Sequence, residues 1–164
     1  MTPTPRVPPA RVAIALGSNL GDRRAHLRWA VRALRTRVRH ATVSGFENTT
    51  PVGVPDAQPD YLNAVLVGYT TLGPADLLAW LLELEQRRGR ERVRPRAART
   101  LDLDLILYAN VIHRSRTLRL PHPRFRSRPF VLGPLAALAP RWKDPESGVT
   151  MARLWRTRGL PGRG

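Results

Sequence analysis

No cysteine occurs in this chain of 164 residues, and that absence removes disulfide staples, thiolate metal sites and cysteine nucleophiles together. Acidic residues are scarce, 12 against 28 basic ones, and lysine is scarcer still: Lys143 stands alone, so nearly every cation is an arginine. Aromatic residues are few, with 3 Phe and 3 Tyr, and none sits in an alternating aromatic strand of the kind that stacks nucleic-acid bases. No run approaches the roughly 18 apolar residues that a membrane-spanning helix needs. The start, Met1 to Arg6, leads into no apolar signal core, so the cytoplasm is the expected address. The phosphate-cradling signatures G-x-x-x-x-G-K-[ST] and G-x-G-x-x-G are also missing, and a nucleotide would have to be held another way.

What is present suffices for a core. Apolar residues make up 42% of a length that suits one domain. Residues 1–10 read as a flexible Pro-rich tail, and 11–164 as the domain. The net charge of +16 attracts polyanions non-specifically. Abundant Arg, Ala and Pro with a single Lys is also what a GC-rich genome imposes wherever a cation is tolerated.

Hydrophobic periodicity divides the domain. Residues 11–17 read as a buried strand ended by Gly17-Ser18-Asn19. Asp22 can cap a helix whose apolar stripe is Leu27, Val31, Leu34 and Val38. Residues 42–46 read as a second strand, 48–59 as a long loop, and 61–69 as a third strand. Pro74 suits the first turn of a second helix that ends near Gly89. An arginine-dense mobile loop is expected over 90–99, a strong strand over 101–108, and helices over 130–138 and 151–155. The order strand–helix–strand–strand–helix–strand predicts an α+β, ferredoxin-like βαββαβ antiparallel sheet with helices on both faces.

The segment Arg99-Thr100-Leu101-Asp102-Leu103-Asp104-Leu105 carries the clearest chemistry. Alternate residues of a strand share a face, so Leu101, Leu103 and Leu105 point to a core while Asp102 and Asp104 point together the other way. Adjacent carboxylates repel unless a cation lies between them. Mg²⁺, which takes one or two carboxylates plus phosphate oxygens, fits that need. The plain alternative is an amphipathic strand with a solvated acidic face. Arg90, Arg92, Arg94, Arg96 and Arg99 lie just upstream. Phosphoryl transfer asks the protein mainly for positioning and charge neutralisation, and the guanidinium fork grips phosphate bidentately. An arginine run is otherwise a solvated loop. His122, between Pro121 and Pro123, is held in extended backbone where it can donate to a phosphate or simply decorate a turn. A flat heteroaromatic ring wants apolar faces and fixed amides at its edge. Tyr61 and Phe130 can supply faces, Asn63 an edge, and the loop Thr49-Thr50-Pro51-Val52-Gly53 backbone groups.

In order along the chain, Ala15-Leu16-Gly17-Ser18-Asn19-Leu20-Gly21, Gln58-Pro59-Asp60-Tyr61-Leu62-Asn63-Ala64, Gly89-Arg90-Glu91-Arg92, Arg99-Thr100-Leu101-Asp102-Leu103-Asp104 and Pro121-His122 resemble blocks of the 6-hydroxymethyl-7,8-dihydropterin pyrophosphokinases. The resemblance implies pyrophosphate transfer from ATP to the hydroxymethyl group of the reduced pterin, with release of AMP, in folate biosynthesis. It implies ATP as co-substrate and two Mg²⁺ ions, both held by Asp102 and Asp104. It further implies that Arg90 and Arg92 close over the nucleotide and Arg99 lies near the transferring phosphates. His122 and Arg128 would contact the triphosphate, with Glu85 lining the site nearby. Thr49, Thr50, Pro51 and Val52 would border the pterin, Asn63 its polar edge, Tyr61 and Phe130 its faces. Three positions depart from the family. Its usual Trp-Gly-Pro before Arg99 reads Arg96-Ala97-Ala98, its frequent tyrosine two before Thr49 is Glu47, and the common aromatic after His122 is Pro123. A monomer acting on small molecules is expected, with no membrane and no specific nucleic-acid partner. The competing reading is a basic ferredoxin-like nucleic-acid module, which the charge favours. The lack of stacking aromatics and the paired aspartates oppose it.

Overall fold

Strand β1, Ala10–Ser18, alternates two kinds of side chain and so divides the molecule. Val12, Ile14 and Leu16 enter one buried cluster and Ala13 enters a second, as the two-residue period of a strand requires. The computed structural model describes residues 7–51, 58–89 and 100–158. Within them β1 pairs antiparallel with β4, Tyr61–Thr70, on one side and with β5, Asp102–Tyr108, on the other. Strand β2, Arg39–Val43, pairs with the outer side of β4, and the short β3, Glu47–Thr49, continues along that edge. The sheet order is β2-β4-β1-β5, the split βαβ arrangement expected from the order of elements.

Helix α1, Arg23–Leu34, follows an Asp22 cap whose carboxylate accepts the Ala25 amide at 3.0 Å. Helix α2, Pro74–Arg87, starts on a proline whose missing N–H costs nothing there. Leu27, Val31 and Leu34 of α1 and Leu77, Leu81 and Leu84 of α2 pack on Val12, Ile14, Leu66, Leu103 and Leu105. The opposite face carries α3, Pro129–Leu138, and α4, Met151–Thr157. There Val131, Leu132, Leu135 and Met151 join Phe125 and Trp142 over Ala13, Val65, Val67, Ile106 and Leu107. Helices thus cover both faces.

Several boundaries differ from the periodicity reading, each for a physical reason. β1 begins at Ala10, inside the expected tail, and runs through Gly17 and Ser18 instead of ending at them. The second strand lies at Arg39–Val43, not 42–46, because this outer strand is mostly exposed and bulged, which erases apolar alternation. The expected loop from 48 contains part of β3, a three-residue strand too short to leave a periodic signal. The short hairpin of β6, His113–Arg114, and β7, Arg119–Leu120, also carried no pattern. Val38 is buried as expected but lies beyond the end of α1.

Candidate active site

The site begins with a change in register. Ile14 of β1 faces Leu105, but the next pair is Ala13 with Leu107, so Ile106 is an extra residue in β5. The bulge turns both Ile106 and Leu107 into the second core. Below it, Leu103 and Leu105 stay in the first core, while Asp102 and Asp104 face the half of the second sheet face that α3 and α4 leave uncovered. The carbonyl of Ile106 accepts the His122 amide at 2.8 Å, which ties the loop after β7 to the carboxylate strand.

That uncovered half is a cleft of about 700 Å³. Its floor is made of small residues on the central strand. Gly17 pairs with Asn63 on one side and Asp102 on the other, and Ala15 pairs with Val65 and Asp104. A Cβ at position 17 would lie 3.3 Å from Asn63 Oδ1 and 3.4 Å from Tyr61 Cδ1, so glycine here lets those side chains lie across the strand. One wall holds Thr49, Thr50, Pro51, Tyr61 and Asn63. The Asn63 amide donates to the Thr49 hydroxyl, tying β4 to β3 at the rim. Asp102 and Asp104 form the second wall, and Arg124, Ser127, Arg128 and Phe130 the third.

The described candidates therefore converge, with two exceptions in placement. Glu85 is buried at the C-terminal end of α2, outside the cleft lining. His122 also stands outside the lining, yet near enough for the charges of Arg128, Arg124 and Asp102 to act on its ring. Val52, Arg90, Arg92 and Arg99 lie outside the described residues.

Burial, then the positive charges of Arg128 and Arg124, lower the His122 ring to about 4 against the opposing pull of Asp102. The ring is therefore neutral near pH 7. The Arg124 amide donates to Nδ1 at 3.1 Å, which assigns the ring proton to Nε2. His122 is thus a neutral donor. Arg128 Nη1 stands 3.9 Å from Asp104 Oδ2, both partly exposed, a loose pair worth under about 1 kcal/mol. Its guanidinium can turn to a phosphate at little cost.

The donor set fits Mg²⁺. Among the described residues no group of three His, Cys, Asp or Glu could enclose a metal. Two carboxylates on one open wall match an ion that keeps waters and takes the rest of its shell from phosphate oxygens.

Two residues that sequence reasoning left unassigned brace the site from outside its lining. Asn19, buried at the end of β1, donates to Gln58 Oε1 at 3.0 Å and to the Pro59 carbonyl at 3.4 Å. Arg23 donates to Asn48 Oδ1 at 2.9 Å and to the Asp60 carbonyl at 2.7 Å. These bonds anchor the ends of the segment that leads from β3 to β4. Gly17 carried no local signal for the floor, because in sequence Gly17-Ser18-Asn19 reads as the turn that ends a strand.

Comparison with known proteins agrees with this architecture. A family model described as 7,8-dihydro-6-hydroxymethylpterin-pyrophosphokinase matches residues 13–140. A 2-amino-4-hydroxy-6-hydroxymethyldihydropteridine pyrophosphokinase from Synechocystis is 40% identical over 143 residues, 86% of this chain and 72% of that protein. The proteins of that name from Haemophilus influenzae and Bacillus subtilis are 40% and 36% identical, over 83% and 88% of this chain and 86% and 90% of their own lengths. Among solved structures, an HPPK-DHPS in complex with substrates superposes with a TM-score of 0.66 at 11% identity. The likeness covers 92% of this chain and 43% of that one, a similarity of fold.

Proposed function

The chain belongs to the 7,8-dihydro-6-hydroxymethylpterin-pyrophosphokinase family, and from that premise we propose that it transfers pyrophosphate from MgATP to the hydroxymethyl oxygen of the reduced pterin, a step of folate synthesis. The observation that carries the reading is the cleft itself. Paired carboxylates, a cationic wall and an amide-edged aromatic wall meet there, from segments far apart in sequence. In the transfer, the hydroxymethyl oxygen bonds to the β-phosphorus and the bridge from that phosphorus to the α-phosphate breaks. AMP leaves, and the hydroxyl proton passes to solvent.

The protein's part is positioning and charge compensation. Tyr61 and Phe130 offer ring faces to the pterin, while Asn63 and the Thr49–Pro51 rim offer hydrogen bonds to its edge. Asp102 and Asp104 would hold two Mg²⁺ ions, which would supply positive charge to offset that of the triphosphate. His122 donates Nε2–H to the triphosphate without adding charge, and Arg128, released from Asp104, adds a guanidinium. By motif position, Arg90 and Arg92 close over the nucleotide, Arg99 approaches the transferring phosphates, Val52 borders the pterin, and Glu85 supports the nucleotide side. The same reading takes the protein as a cytoplasmic monomer without a specific nucleic-acid partner. No described helix is long and apolar enough to cross a membrane.

Incubation with ATP, Mg²⁺ and 6-hydroxymethyl-7,8-dihydropterin tests the assignment. AMP and a pterin diphosphate are expected in equal amounts. ADP in place of AMP would overturn it.

A further inference from the structure

The segment 122–128 works in two directions. His122, Arg124 and Arg128 stand on the cleft side, whereas Phe125 and Arg126 turn to the C-terminal part of the chain. Between the His122 amide, held by Ile106, and Arg128 at the start of α3, the backbone closes only one turn of 3-10 helix, Phe125–Ser127, through hydrogen bonds of 3.2 to 3.4 Å. Three arginines at alternate positions also repel one another.

Arg126 is gripped from behind. Its Nε donates to Asp144 Oδ2 at 2.6 Å and its Nη2 to Asp144 Oδ1 at 2.7 Å, a bidentate fork. Nη2 also reaches Glu146 Oε2 at 3.3 Å, and the guanidinium lies 4.7 Å from the centre of the buried Phe125 ring. Asp144 is fully buried, and its carboxylate further accepts the Glu146 amide at 3.1 Å and the Ser147 hydroxyl at 2.9 Å. Its own loop is fixed to the core. The Asp144 amide donates to the Val149 carbonyl and the Met151 amide to the Trp142 carbonyl, both at 2.8 Å, with Trp142 and Met151 in the second cluster. On the cleft side the corresponding tie, Arg128 to Asp104, is long and loose.

The turn is thus held at its start by the Ile106 carbonyl and at its middle by the C-terminal anchor, which alone grips one of its arginines tightly. We propose that Asp144 and Arg126 are positioning residues for the nucleotide: their ion pair sets His122, Arg124 and Arg128 toward the phosphates before ATP arrives. The buried carboxylate also offsets the middle of three like charges, so the outer two can face the cleft together. Such preorganisation removes an ordering cost from binding. The inference rests on the cleft being the MgATP site.

Calorimetric titration of MgATP into the wild type, Asp144→Asn and Arg126→Lys tests it, beside the KM for the pterin at saturating ATP. Asp144→Asn keeps the shape and removes the charge; Arg126→Lys keeps the charge and removes the fork. MgATP affinity should fall about tenfold in both, with the pterin KM changed by less than about twofold. A parallel loss on both substrates, or unchanged MgATP affinity, overturns the proposal. If Asp144→Asn does not fold, Arg126→Lys, whose side chain is one-third exposed, decides alone. A wild type that binds no MgATP overturns the reading of the cleft, and this inference with it. A wild type that binds MgATP, matched by both variants, overturns this inference only.

Discussion

On one face of the sheet, β1 presents Val12, Ile14 and Leu16, and two helices seal them completely. On the other face the same strand presents Ala13, Ala15 and Gly17, and the helices cover only the half beyond the bulge. The sealed face contains large aliphatic side chains and serves stability. The open half keeps only Ala15 and Gly17 on the central strand, which leaves room for substrates and exposes two carboxylates that a closed core would not tolerate unpaired. Stability and chemistry are thus assigned to opposite sides of the same backbone, and substitutions on the two sides should separate cleanly.

The largest effect belongs to the open face. Asp104→Ala should lower AMP formation about 1000-fold, while the melting temperature shifts by only a few degrees. Turnover near the wild-type rate with Mg²⁺ would remove Asp104 from the site. The converse substitution is Leu81→Ala, at a residue fully buried in the sealed face. It should cost about 3 kcal/mol in a urea melt and leave kcat of the folded enzyme within about twofold. A kcat loss as large as that of Asp104→Ala would mean that the faces are not independent.

A smaller effect sharpens the boundary between them. Burial, with Arg128 and Arg124, holds His122 near 4 in the folded chain against an ordinary 6.5. Between these values the unfolded chain binds a proton that the folded chain refuses. Its contribution is therefore full above about 6.5 and is lost as the pH falls toward 4. From about pH 7.5 to about pH 4.5, wild type without Mg²⁺ should lose about 2 kcal/mol more than His122→Gln, allowing for the ring's partial exposure. Equal losses would show that the ring titrates as if in water.

Much of this was readable before any coordinates. The aspartates of β5 alternate with leucines, and period two alone puts them on one face. The capping Asp22 and the N-terminal Pro74 marked where the helices start. Other features had no local signature. Gly17 read as a turn because nothing in its neighbours reveals that Tyr61 and Asn63 lie across it. The outer β2 was expected but placed three residues late, because its side chains are mostly solvated. Asp144 drew no reading from the sequence, since its partner lies 18 positions away and burial of a carboxylate is a property of the packed chain.

By itself, then, the sequence determined which residues share a strand face, where two helices begin, and which blocks match a pyrophosphokinase. These depend on periods of two and 3.6 and on contacts a few residues long. Tertiary structure alone decided that Asn63, Gly17 and Asp102 stand in one row, that a bulge at Ile106 captures His122, and that a buried carboxylate aims the arginines of the facing wall. Those arrangements depend on which strand neighbours which and on hydrogen bonds closed across long loops, and no local pattern encodes either.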